Sequence, residues 1–153
     1  MNDNMIIHTK LTPVKIKNII DLKKDVELNT KRVRVSNGIP GAYRHTNWNE
    51  WSSDKRDRFK SNFDVDLVNR SVIGWFLELP AHTGNLPYND TWVDARMAGT
   101  VYSYALQPDT QIIIDGTKFV LDEGQGIKFS LKVPHEIPVS QIEQNWACMM
   151  CFE

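Results

Sequence analysis

A chain of 153 residues, 41% hydrophobic and 24% charged, has the makeup of one globular domain able to bury its own core. Its formal charge of −1 and pI near 6.4 exclude a global attraction to nucleic acid or anionic lipid. No stretch approaches the roughly 20 apolar residues that span a bilayer, and Met1 to Met5 lacks the basic and apolar regions of a secretory signal, so a cytoplasmic protein without membrane contact is expected.

Taken in chain order, the first segment holds His8 and is expected to be exposed. Thr12-Pro13, followed by Val14, Ile16, Ile19, Ile20 and Leu22, predicts a helix with Thr12 as its cap and Pro13 in its first turn. Arg32 to Val35 alternates like a strand, and Asn37-Gly38 and Pro40-Gly41 predict its end. His45 falls in a polar, aromatic loop, Tyr43 to Trp48. Ser53 is expected to cap a second, charged helix over about Asp54 to Asn62.

From residue 70 onward the pattern is β. Ser71–Leu79, Thr100–Leu106, Gln111–Asp115, Thr117–Leu121, Ile127–Val133 and Asn145–Phe152 each have a strand's length and composition. Asp115-Gly116 between two of them is a type I′ hairpin pair, since both central positions need positive φ. Short strands at regular spacing predict a jelly-roll or barrel. The expected class is therefore α+β, mainly β: residues 1–70 helical and loop, residues 71–153 a double-stranded β-helix core, in one domain. The only cysteines form Cys148-Met149-Met150-Cys151. In a strand they face nearly opposite ways, which predicts structural thiols in place of a redox or zinc motif.

Two histidines carry the chemistry. His82 stands in Pro80-Ala81-His82-Thr83-Gly84, and His135 follows Pro134. Neutral imidazole is the commonest transition-metal ligand. A mononuclear iron oxygenase site pairs His-x-Asp or His-x-Glu with a distal histidine. Here Gly84 occupies the carboxylate's place and leaves a coordination position open, while Asp94 and Glu136 are the nearest acids. Glu136 directly follows a ligand candidate and is expected to point away from it. Spacing alone also fits two unrelated loop histidines, given four in the chain. Trp75, Trp146, Tyr102 and Tyr104 are aromatic candidates for lining the cavity or for packing.

With these residues in view, the stretch from Ser71 to the C-terminus resembles the aspartyl/asparaginyl β-hydroxylase branch of the iron(II)/2-oxoglutarate dioxygenases. The matching order is an apolar strand, Pro80-x-His82-x-Gly84, an arginine, Leu106-x-Pro108, Ile112-Ile113-Ile114-x-Gly116, Glu123-Gly124, Phe129, His135-Glu136-Ile137 and a closing strand. The resemblance implies that His82 and His135 bind iron(II), that Gly84 marks a vacant ligand site, and that Arg96 helps hold the acidic co-substrate, 2-oxoglutarate, as a guanidinium can. The family's second anchoring arginine would fall at Asn145, which offers only a neutral hydrogen bond. No arginine follows Arg96.

The expected function is that of an iron(II)/2-oxoglutarate-dependent hydroxylase-like protein acting on an amino-acid side chain, in a protein or peptide, or on a small molecule. The rival, favoured by the missing second arginine, is a catalytically silent cupin-like binding or interaction module. A single-strand nucleic-acid binder using the five tryptophans ranks last, because the near-neutral charge advertises no basic groove.

Overall fold

The computed structural model describes residues 7–26, 28–34, 40–65, 67, 70–81, 99–130, 133–138 and 140–152, with backbone alone between 29 and 45. Among the described residues, ten strands form two sheets. The larger contains β1 (Ile7–Lys10), β2 (Asn29–Arg34), β3 (Pro40–His45), β4 (Ser71–Leu79), β5 (Gly99–Ala105), β8 (Gln125–Ser130) and β10 (Gln144–Phe152), in the order β1-β8-β5-β10-β4-β3-β2. The smaller is β7 (Thr117–Leu121), β6 (Thr110–Ile114) and β9 (His135–Glu136), in the order β7-β6-β9.

β10 is the spine of the large sheet. It pairs antiparallel with β4 from Gln144↔Leu79 to Phe152↔Ser71, and with β5 from Trp146↔Ala105 to Phe152↔Gly99. Strand alternation then sorts its side chains. Trp146, Cys148 and Met150 enter the core between the sheets, with Leu79, Val101, Ile127 and Phe129, and meet Ile112, Ile114 and Leu121 of the small sheet. Ala147, Met149 and Cys151 enter a second core on the opposite face. Cys148 and Cys151 therefore lie on opposite faces of β10, both buried and free.

The second core is closed by helices. α1 (Pro13–Lys23) begins at Thr12, whose side chain accepts from the Lys15 N–H, and it buries Ile16, Ile19 and Leu22. α2 (Ser53–Lys60) is capped one residue earlier than expected, by Ser52, and buries Phe59. The Phe59 ring meets Trp48, Trp51, Phe63 and Phe76 at centroid distances of 4.6–5.9 Å. Gly74 is what lets α2 approach so closely, since a Cβ there would stand 2.5 Å from the Phe59 ring.

The expected hairpin is present: Asp115 and Gly116 have φ of 49° and 84°, and β6 and β7 pair around them. Three strands were not expected: β1, β3 and the two-residue β9. β1 pairs with the edge of β8, and Pro40-Gly41, read as a strand breaker, instead opens β3, which pairs with β2 along its length. Proline is tolerated at a strand's first position, where no neighbour asks for its missing N–H. The expected arrangement, helices outside a two-sheet β core, is what the chain adopts.

Candidate metal and ligand site

His135 reaches the interior through a very short strand. β9 pairs with the end of β6 through Ile113↔Glu136 and Ile114↔His135, and the Asp115 N–H donates to the Pro134 carbonyl at 2.9 Å. The imidazole is 9% exposed and lies 4.8 Å, centroid to centroid, from the Phe129 ring. Its Nδ1 is 3.0 Å from the Val133 carbonyl oxygen. A carbonyl can only accept, so this contact places a proton on Nδ1. Metal-binding imidazoles are oriented in this way. The residue present therefore fits the role of one imidazole ligand.

The ring borders a cavity of about 40 Å³ between the sheets, room for roughly three water-sized bodies. Trp75 and Leu77 of β4, Ile112 of β6, Phe129 of β8 and Trp146 of β10 supply apolar wall. Ser103, Cys148 and Glu136 also border it, and no lysine or arginine does among the described residues. Burial pushes the Cys148 thiol up to about 12, against the opposing effect of its hydrogen bond with Ser103. That thiol is a protonated wall element, not a nucleophile.

Trp146 carries one of two buried polar atoms without a hydrogen-bond partner among the described residues, the other being the Tyr104 hydroxyl in the helix-side core. It is 1% exposed, and its indole Nε1–H has no hydrogen-bond partner among the described residues. Leaving a buried donor unpaired costs about 1–3 kcal/mol. Native proteins seldom keep such a group without a use for it.

His82, Gly84 and Arg96, like Asp94, lie outside the described residues. β4 ends at Leu79, three residues before His82 in sequence. Trp75 and Leu77, from that same strand, wall the cavity that His135 borders. Among the described residues, no three or more His, Cys, Asp or Glu side chains group to hold a metal.

Asn145 is not brought to the cavity. It precedes the inward Trp146 by one residue, and alternation turns it toward the helices. Its Oδ1 accepts from Lys23 Nζ of α1 at 2.8 Å, and its Nδ2 donates to Gln107 Oε1 at 2.6 Å. Lys23 also pairs with Glu78, the residue opposite Asn145 on β4. Asn145 thus fastens α1 to the sheet, and the role in co-substrate binding expected at its position is unsupported by this orientation.

Other placements follow the same parity. Tyr102 and Tyr104 face the helix-side core and pack there, while Trp75 and Trp146 border the cavity. Desolvation raises the Tyr104 hydroxyl far above the ordinary tyrosine range, with Thr9 and Asp64 as its polar neighbours. Alternation predicts Glu136 facing away from His135, yet it borders the same cavity at partial exposure, because a two-residue strand does not enforce the pleat. His8 is half-buried, with Nε2 3.0 Å from the Asp64 carbonyl and its ring edge-on to Tyr102 at 5.1 Å, so it belongs to the β1 packing. The His45 side chain lies outside the description, although its backbone pairs with Leu77. Ser103 was not singled out from sequence; its signal is its parity with Val101 and Ala105 on β5.

Neither a protein-family model nor a curated protein matches the chain. Solved structures do. An oxidoreductase of the 2OG-Fe(II) oxygenase family from Burkholderia pseudomallei superposes with a TM-score of 0.65 at 10% identity, covering 92% of this chain and 79% of that one. A prolyl-4-hydroxylase from Pseudomonas putida gives 0.63 at 14% identity, covering 96% and 90%. A prolyl hydroxylase from Trichoplax adhaerens, in complex with a peptide fragment of hypoxia inducible factor, gives 0.63 at 12% identity, covering 96% and 82%. At these identities the likeness concerns the backbone: the chain has the double-stranded β-helix fold of 2OG-Fe(II) oxygenases, with its helices packed outside.

Proposed function

We propose that the protein is an iron(II)/2-oxoglutarate-dependent hydroxylase-like protein acting on an amino-acid side chain or a small molecule. The observation that carries this reading is His135: a buried imidazole that borders an interior cavity and is oriented there by the contact of its Nδ1 with the Val133 carbonyl. His82 and His135 would hold the iron, Gly84 would leave a position open beside it, and Arg96 would meet a co-substrate carboxylate. A bound iron(II) with 2-oxoglutarate as electron donor would activate dioxygen, the oxidant for hydroxylation. The chain's own contribution is to orient the ligand imidazole, through Val133 and Phe129, and to keep its surroundings dry with Trp75, Leu77 and Ile112.

The alternative is a catalytically silent, cupin-like binding or interaction module. One observation favours it: the described cavity wall contains no cation, and Asn145 is engaged by Lys23 on the opposite face. Anaerobic titration of the metal-free protein with iron(II), with and without 2-oxoglutarate, separates the two. The expected result is a weak visible charge-transfer band requiring both additions and lost in the His82→Ala/His135→Ala double variant. Absence of the band in the wild type, or its persistence in the double variant, overturns the enzymatic reading.

A further inference from the structure

The small sheet ends in an open edge. In the order β7-β6-β9, β7 has no second neighbour among the described residues. The Asp115-Gly116 turn sets the phase of its backbone. Asp115 donates its N–H to Pro134 on the β9 side, so Ile114 and Ile112 turn theirs toward β7 and bond Thr117 and Phe119, their register partners. Lys118 and Val120 therefore point their N–H and C=O groups out of the free edge. Side chains alternate too: Lys118, Val120 and, just past the strand, Asp122 are exposed, while Leu121 is buried. Val120, at 60%, is more exposed than any other large apolar side chain described on a strand. Neither Lys118 nor Asp122 makes an ion pair among the described residues.

Edges of this kind are usually guarded against a second chain. Of the other edge strands, β2 reads Asn-Thr-Lys-Arg-Val-Arg, with cations and no acid, β1 breaks register, and β9 is two residues long. β7 has five pairs in unbroken register and no proline. Its outward row, Lys118, Val120 and Asp122, is its own complement when reversed. We propose that β7 is a homodimer contact: a second copy lays its β7 antiparallel to this one about a two-fold axis at Val120. In that register the two Val120 residues exchange both backbone bonds, and each Lys118 stands opposite Asp122 of the other copy. Centring the pair on Phe119 would set each lysine against a valine, and centring it on Lys118 would set lysine against lysine. Charge therefore selects the Val120 register. The small sheets of the two copies then run on as one, β9-β6-β7 followed by β7-β6-β9.

A strand pair this short buries less than the roughly 1,200–2,000 Å² of a stable complex, so the dimer is expected to be reversible. The full chain is followed by sedimentation from about 5 to 500 µM, and the wild-type mass is expected to rise from 17.7 kDa toward twice that value. K118D and D122K each set like charges opposite one another and are expected to weaken the dimer about tenfold. The K118D/D122K double variant is expected to return it to within about threefold of wild type. V120P removes an N–H that β6 does not use, so it is expected to keep the fold and abolish the dimer. Should V120P fail to fold, amide exchange of the wild type gives the same reading: Val120 becomes protected as concentration rises, while Phe119 is protected throughout. A wild type that stays monomeric at every concentration overturns the proposal and leaves the edge to some other extended segment. A dimer that the single charge variants do not weaken, or that the double variant does not restore, overturns it as well, because its contact lies elsewhere.

Discussion

The two faces of the large sheet are built from the same strands and do opposite things. On the helix side, Trp48, Trp51, Phe59, Phe63 and Phe76 interlock ring on ring, and α1 is pinned through the Lys23–Glu78 pair and Asn145. On the inner side, β4, β5 and β10 send Trp75, Ser103 and Trp146 to a cavity wall that holds a buried imidazole and an unpartnered indole N–H. Each face buries one polar atom without a hydrogen-bond partner, the Tyr104 hydroxyl on the helix side and the Trp146 indole N–H on the inner side, and the inner face adds the cavity that His135 borders.

The largest test of this contrast is Phe59→Ala. The ring is fully buried and touches four other aromatics, so its removal is expected to cost about 3–5 kcal/mol in chemical denaturation. A loss under about 1 kcal/mol would show that this face does not carry the fold.

Alkaline pH probes the inner face next. The Cys148 thiol is raised from 9.0 to about 12 by burial, so the unfolded chain releases its proton before the folded one does. Stability contributed this way is intact below about pH 9 and falls as pH rises toward 12, by up to about 1.4 kcal/mol per pH unit for this group. Cys148→Ala should flatten that part of the stability–pH curve; an unchanged slope would mean the thiol is not the group responsible.

Lys23→Ala should cost about 1–2 kcal/mol, because Glu78 and Asn145 lose a shared, largely buried partner. Its melting temperature should fall while 2-oxoglutarate binding stays at the wild-type level. A selective loss of binding would place the Lys23 network in the site after all. The smallest effect is expected from W146F, which deletes the unpaired donor and keeps an aromatic ring; its stability should stay within about 1.5 kcal/mol of wild type. A loss matching that of Phe59→Ala would erase the distinction between the two faces.

Much of the fold was legible because its signals are local. Thr12-Pro13 with apolar residues at helical spacing marked α1, Asp115-Gly116 marked the β6–β7 hairpin, and the length and composition of 71–79 and 145–152 marked the strands that became β4 and β10. β1 was less legible, because an edge strand draws its hydrogen bonds from a partner far away in sequence and needs little apolar character of its own, and β3 because Pro40-Gly41 reads locally as a breaker although the strand pairs with β2 and β4. The site was legible only in part. His135 could be singled out as a metal-ligand candidate, but the commitment of its Nδ1 to Val133 could not, and counting ten residues onward selected Asn145 where the inward residue is Trp146.

By itself, the sequence marked α1, α2 and seven of the ten described strands and predicted that Cys148 and Cys151 face opposite ways, and it offered His82 and His135 as the expected metal ligands. Only the tertiary structure decided which face of β10 looks into the cavity and which meets α1. A strand's period says that neighbours point oppositely, and it does not say which of them points in. That choice comes from what packs on each side: α1 supplies Lys23 to Asn145, and the small sheet supplies Ile112 and Ile114 to the core that receives Trp146.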